Sequence, residues 1–194
     1  MSYDENNLIE IICGPMFAGK TEKLIEIIKK LKNLNKKVLV FKSYLDTRFS
    51  KKQELISHNQ NTINSFVIKK SKEILDFIKN DTEVIVIDEA QFLDNQIVDI
   101  VDSLANKNIK FIIAGLDLDF RGKPFGSMPN LLAIADKVTK LKSVCSVSGK
   151  PANRTQRLIN QKPAKNSEPI IMTEKNKIVK YEPRNRKYHE LKNK

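Results

Sequence analysis

The segment "IICGPMFAGKTEK", Ile11 to Lys23, constrains the fold more than any other stretch of the chain. Gly14-Pro-Met-Phe-Ala-Gly19-Lys20-Thr21 fits G-x-x-x-x-G-K-[ST], with an apolar run before it and a helix-periodic run after it. Glycines let backbone N–H groups turn toward phosphate oxygens, and a helix N-terminus favours negative charge. Lys20 has the reach for the outer phosphates of a nucleotide, and the Thr21 hydroxyl suits a magnesium ion. A glycine turn needed only for packing would not require Lys20 and Thr21 in succession.

The flanks extend the argument to the whole fold. Residues 8–13, 37–42, 84–88 and 110–117 are short, β-branched and nearly continuously apolar, as strands covered on both faces are. Between the first two, Leu24, Ile27, Ile28, Leu31 and Leu34 recur at helical spacing. "SKEILDFIKN" and "DNQIVDIVDSLANK" read as further amphipathic helices, opened by Ser71 and Asp94 as caps. Strand alternating with helix predicts an α/β fold, a mostly parallel P-loop-type sheet flanked by helices. Ligands in such folds sit beyond the C-terminal strand ends. After about residue 140 the texture turns polar and Pro-punctuated. The expected division is residues 1–140 as the α/β body and 141–194 as a small β-rich appendage, a loop and a basic tail.

At 194 residues with 40% apolar composition, the chain has material for a real core and room for one domain. Two cysteines cannot build a disulfide framework, which points to a reducing compartment. The N-terminus is acidic and lacks a long apolar run, so neither a secretory leader nor a membrane span is expected. The net charge of +12 suits an anionic partner, but the lysines are scattered rather than gathered in one tract.

"VIVIDEAQF" ends a buried strand with Asp88 and Glu89. An acid at that strand end of a P-loop protein reaches the magnesium ion, which assigns Asp88; Glu89 then faces the cleft as a candidate base. Two acids capping the next helix is the plainer alternative. "DEAQ" also resembles the acid box of helicase-type ATPases, and a nucleic-acid-stimulated ATPase is the rival function. Those motors need two lobes, and this length provides one.

Seven segments in order, "GPMFAGKT", "KSYLDTRFS", "SHNQNT", "IDEAQF", "GLDLDFRGKPFG", "CSVSGKPANRTQRLINQKPA" and "KYEPRNR", resemble the type II thymidine kinases over residues 8–190. The resemblance implies transfer of the ATP γ-phosphate to the 5′-hydroxyl of thymidine or deoxyuridine, with magnesium as cofactor. It implies ATP contacts from Gly14, Pro15, Met16, Phe17, Ala18, Gly19, Lys20, Thr21, Asp46, Asp88, Glu89, Ala90 and Gln91. Glu89, Lys20 and Arg48 would be catalytic, and Thr21 and Asp88 would hold magnesium. Met16, Phe92, Leu116, Phe120, Phe125, Thr155 and Tyr181 match nucleoside-binding positions; Tyr181 belongs to a "lasso" loop that closes over the base. Met16 and Leu116 are also compatible with ordinary core. The resemblance further implies a cytoplasmic homotetramer with feedback by thymidine triphosphate, and neither nucleic acid nor membrane as partner.

The same family carries a structural zinc held by two Cys-rich pairs. Here Cys145 remains, but Ser148, Asn185 and Tyr188 stand at the other three positions. A tetrahedral structural site wants four Cys or His ligands, so zinc is expected to be absent. A drifted, non-catalytic nucleotide sensor is a third reading, opposed by the retention of Lys20, Thr21, Asp88 and Glu89. His58 is expected in a loop role and His189 in a solvated tail.

Overall fold

A computed structural model describes residues 7–45, 54–56, 62–171 and 178–192. Six strands form the central sheet: β1 (Ile9–Cys13), β2 (Val38–Ser43), β5 (Phe66–Ile68), β6 (Val84–Asp88), β7 (Lys110–Gly115) and β8 (Lys137–Lys140), in the order β5-β2-β6-β7-β1-β8. Every pairing within it is parallel. The short strands β3 (Glu54–Ile56) and β4 (Thr62–Asn64) form an antiparallel pair outside this sheet. The predicted α/β class holds, and four of the six sheet strands coincide with the apolar runs.

Alternation along each strand splits the core in two, because successive side chains leave opposite faces. On β6, Ile85 and Ile87 join one cluster while Val84 and Val86 join the other. β7 does the same, with Phe111 and Ile113 against Ile112 and Ala114. The first cluster lies under α2 (Gln96–Ala105), α3 (Met128–Ile134) and a 3₁₀ turn at Ser71–Phe77. The second is covered by α1 (Lys20–Asn33) through Leu24, Ile25, Ile28 and Leu31. Ile25 takes the place expected for Leu34, which lies at the helix C-cap and is 56% exposed. Each fully buried Leu, Ile or Phe contributes about 1.5–3 kcal/mol, so this two-sided burial fixes the sheet and, with it, the strand ends.

The cap expectations need correction. Residues 71–77 form a 3₁₀ helix rather than an α-helix, with Lys70 as its N-cap. α2 starts after Asn95, not Asp94. Asp94 instead bridges the two elements: its carboxylate accepts from the Ser71 N–H at 3.0 Å and the Gln96 N–H at 3.1 Å. One carboxylate serving two helix starts explains why neither residue caps as a simple N-terminal signal. Burial works against ionised Asp94, but these hydrogen bonds outweigh it and lower its pKa.

Beyond β8 the chain forms small antiparallel sheets. β9 (Ser143–Val144) pairs with β10 (Pro151–Ala152), and β11 (Arg154–Ile159) lies between β12 (Lys162–Pro163) and β13 (Val179–Arg184). These strands are tied to the body at both ends. The Thr155 hydroxyl accepts the Met16 N–H at 3.0 Å, and His189 Nε2 bonds the Phe120 carbonyl at 2.8 Å. His189 is therefore half-buried rather than solvated; burial, the main cause, lowers its pKa.

Candidate active site

The C-terminal ends of β1, β6 and β7 bring three loops together. The loop from Gly14 to Gly19 joins β1 to α1, and its approach to β8 dictates glycine at its start. Gly14 has φ 141°, and a Cβ there would lie 2.4 Å from the Leu141 carbonyl oxygen. Leu141 cannot retreat easily, since its N–H donates to the Cys13 carbonyl at 2.8 Å. Gly19, at φ 81°, turns the chain into α1. Phe17 between them adopts φ 63° without being glycine, a strain of about 1–3 kcal/mol of the kind that collects at functional sites. The Ser143 hydroxyl holds its carbonyl at 2.9 Å. Lys20 is buried and donates to the Pro15 carbonyl at 2.8 Å, so its ammonium lies folded along the loop.

β7 lies between β1 and β6 in the sheet, yet the Thr21 hydroxyl reaches across to Asp88 Oδ2 at 3.0 Å. Asp88 is buried, and its Oδ1 accepts the Glu89 N–H at 2.9 Å. A hydroxyl and a carboxylate side by side, next to the Gly14–Gly19 loop, are the hard oxygen donors magnesium takes. These two residues therefore fit that ion.

Glu89 leaves the strand in the left-handed region at φ 55°. This turn throws its carboxylate off the strand line, and two contacts keep it there. Gln91 Nε2 donates to Glu89 Oε2, while Gln91 Oε1 accepts the Leu116 N–H at 2.9 Å. The Leu116 bond fixes the amide orientation and leaves only the NH₂ for Glu89. Below, the Ser127 hydroxyl donates to the Ala90 carbonyl at 3.1 Å. Gly126 is obligatory at this point: a Cβ would sit 2.1 Å from the Gln91 carbonyl oxygen. Ala90 and Gln91 are thus both covered, and Gln91 acts on Glu89 and the end of β7.

Beside this edge lies a cleft of about 350 Å³, its open mouth included. Met16, Phe92, Leu116, Phe120, Phe125, Thr155 and Tyr181 all line it, joined by Leu118, Arg157 and Ile170. Phe92 and Phe125 meet edge to face, with centroids 5.5 Å apart at 89°. Such walls suit a flat aromatic ligand with few polar groups. Met16 belongs to both the Gly14–Gly19 loop and this cleft. A larger groove of about 550 Å³ runs along α1 near Glu10, Lys110 and Lys137, but those charges pair with one another at 2.6 and 3.0 Å and no candidate acid, base or phosphate loop faces it. Size alone therefore misleads here.

Asp46, Arg48 and His58 lie outside the described residues. Four contributors escaped the sequence reading: the amide of Gln91 as a bridge, Leu118, Arg157, and the backbone near Ile170. Arg157 was within reach, since it stands two residues after Thr155 on a strand and shares its face.

The positions expected for zinc ligands form a hydrogen-bonded knot. Asn185 Nδ2 donates to Ser148 Oγ at 3.0 Å, and Asn185 Oδ1 caps the turn that follows by accepting from Lys187 and Tyr188 N–H groups. Burial opposes a Cys145 thiolate, but the Ser148 hydroxyl and the N–H groups of Asn185, Val147 and Ser148 outweigh it and bring the thiol to about 7. An amide donating to a hydroxyl leaves no tetrahedral set of anionic or imidazole donors, so these residues do not fit zinc. Cys13 is no substitute: burial, aided by Asp117, pushes its thiol up to about 11.

A family model described as thymidine kinase matches residues 7–186. The chain is 60% identical over 181 residues to a thymidine kinase of Onion yellows phytoplasma (strain OY-M), covering 93% of this chain and 86% of that protein. A thymidine kinase of Aster yellows witches'-broom phytoplasma (strain AYWB) is 58% identical over the same shares. Matched along nearly its whole length, the chain belongs to the thymidine kinase family.

Proposed function

We propose that this protein transfers the γ-phosphoryl group of ATP to the 5′-hydroxyl of thymidine or deoxyuridine. The observation that supports this most directly is the position of Met16, at once part of the phosphate loop and a wall of the aromatic cleft. A triphosphate tail and a base so placed leave the sugar hydroxyl near Glu89.

In this reading the N–H groups of the loop and the α1 N-terminus cradle the phosphates. Lys20 swings from the Pro15 carbonyl to the β- and γ-oxygens. Thr21 and Asp88 hold magnesium, which would neutralise charge on the phosphate tail when bound. Glu89, oriented by Gln91, accepts the proton of the 5′-hydroxyl as its oxygen bonds to the γ-phosphorus and the bond to the β-phosphate oxygen breaks. Asp46 and Arg48 take the family's phosphate-side positions, Arg48 balancing charge on the transferred group. Met16, Leu116, Phe120, Phe125, Thr155 and Phe92 surround the base, with Tyr181 above it. Residues 1–140 act as the kinase body and 141–194 as an appendage that completes the nucleoside side. The assembly is a cytoplasmic homotetramer, open to feedback by thymidine triphosphate. The expected lack of zinc agrees with the Cys145–Ser148–Asn185 knot.

Among the described residues no helix is long and apolar enough to cross a membrane. The decisive assay offers γ-phosphate-labelled ATP to a panel of nucleosides. Label on thymidine or deoxyuridine is the expected product. Label released only as inorganic phosphate, and faster with DNA, would replace this reading with the ATPase.

A further inference from the structure

Arg157 lies in β11 directly opposite Tyr181 of β13 and is only 3% exposed. Its Nη1 donates to the Pro169 carbonyl and its Nη2 to the Ile170 carbonyl. Its guanidinium carbon stands 3.8 Å from the Phe120 ring centroid and 5.3 Å from that of Tyr181. A second arginine repeats the pattern: Arg121 Nη2 donates to the Glu168 carbonyl at 3.1 Å, with its guanidinium carbon 5.2 Å from the same Phe120 ring. Three successive carbonyls, from Glu168 to Ile170, are thus held by two guanidiniums resting on one aromatic ring.

Burying a cation without a carboxylate in hydrogen-bond contact is costly, and the guanidinium of Arg157 is satisfied instead by the Pro169 and Ile170 carbonyls and by Tyr181, with Asp119 acting only through its field. A guanidinium suits the task because its planar fork offers two parallel donors and two stacking faces, which an ammonium cannot. Phe120, Ile170 and Tyr181 are all walls of the aromatic cleft, and Arg157 touches each of them.

We propose that Arg157 is the positioning residue of the nucleoside cleft, clamping the Pro169–Ile170 backbone against Phe120 and Tyr181 and thereby setting affinity for the nucleoside. Arg121 is its weaker second arm. The proposal rests on the cleft holding the nucleoside, as in the function proposed above. It concerns the binding of one substrate only, because the bonds and ring contacts of Arg157 go to Pro169, Ile170, Phe120 and Tyr181 on the cleft side.

Two measurements on the full chain test it, using wild type, Arg157→Lys and Arg157→Met. In steady-state kinetics, both variants should raise the nucleoside KM by at least about tenfold, the loss of charge-assisted bonds. The ATP KM and kcat should stay within about threefold, a split that general loosening would not give. In amide hydrogen exchange, residues 168–171 and β13 should exchange at least about tenfold faster, with α1 and the central sheet unchanged. An unchanged nucleoside KM, or a fall in kcat alone, overturns the proposal. If wild type phosphorylates no nucleoside, the functional reading fails first. Exchange then still judges the clamp, and unaltered protection at 168–171 would refute it. Arg121→Gln, on a partly exposed side chain, should shift both readouts in the same direction by less; a larger shift than Arg157→Lys would also overturn the assignment.

Discussion

Replacing Gln91 with Glu tests the proposed base more sharply than removing it. The substitution keeps an oxygen to accept the Leu116 N–H, so the buried end of β7 stays satisfied. It replaces the NH₂ that donates to Glu89 Oε2 with a second oxygen at the same place. Two ionised carboxylates would then face each other at hydrogen-bond distance. Their repulsion is about 4 kcal/mol at 4 Å in the effective dielectric of a partly buried site, which corresponds to about 3 pH units of proton affinity. The pair relieves it by sharing a proton, and that proton blocks the base. The acid limb of the kcat/KM profile for phosphoryl transfer should therefore move upward by about 1–3 pH units. Thermal stability should change little near neutrality, because the shared proton restores a hydrogen bond. A variant with the wild-type acid limb and wild-type rate would show that Gln91 does not act on the catalytic carboxylate, and would take Glu89 out of the proton transfer with it.

Three further outcomes follow from other contacts. Thr155→Val removes the acceptor for the Met16 N–H, a loss of about 1 kcal/mol; because Met16 is shared by the two proposed subsites, the KM values for ATP and nucleoside should rise together, and a rise in only one would break the link. Zinc content should stay far below stoichiometric in protein purified without added metal, and a chelator should leave Tm unchanged, whereas Asn185→Ala should lower Tm by about 2–4 °C through loss of its cap and its bond to Ser148; one zinc per chain would contradict this. Hydrogen bonds from Lys180 and then Arg184 hold Glu182 down to about 2, from an ordinary 4.5. A depressed carboxylate stabilises above its unfolded value, so that contribution is complete above pH 4.5 and disappears as pH falls through 2. Lys180 is largely exposed, which limits the effect to about 1–2 kcal/mol. Burial lowers His189, so its neutral form stabilises the fold above about pH 6.5 and protonation removes this on acidification. Glu182→Gln should flatten acid unfolding between pH 4.5 and 2 only; an unchanged curve there refutes the assignment.

The central sheet was legible because its strands are buried on both faces and read as unbroken apolar runs, and the strand-to-helix turn at Gly14–Gly19 because its glycines answer a backbone requirement. β5 and β8 were missed for the opposite reason. Phe66–Ile68 is only three residues long, and Lys137–Lys140 holds a single apolar residue, Val138, which is itself 47% exposed, so this edge strand offers no apolar run. α3 was missed because seven residues containing Pro give too little periodicity. The walls of the cleft came from segments scattered over residues 16–181, which no local pattern joins; only the resemblance brought them together, and it said nothing of Arg157. Ser71 and Asp94 misled because each looks like a cap by type, while the actual bonds run between two elements brought together by folding.

The claim that carries the account is that Glu89 takes the proton from a nucleoside alcohol held beside the phosphate loop. Single-turnover transfer of labelled phosphate by Glu89→Gln, with ATP and nucleoside binding measured on the same preparation, tests it directly. The account predicts that both ligands still bind while transfer slows by about 10²–10⁴. Transfer at the wild-type rate, with both ligands bound, would contradict it.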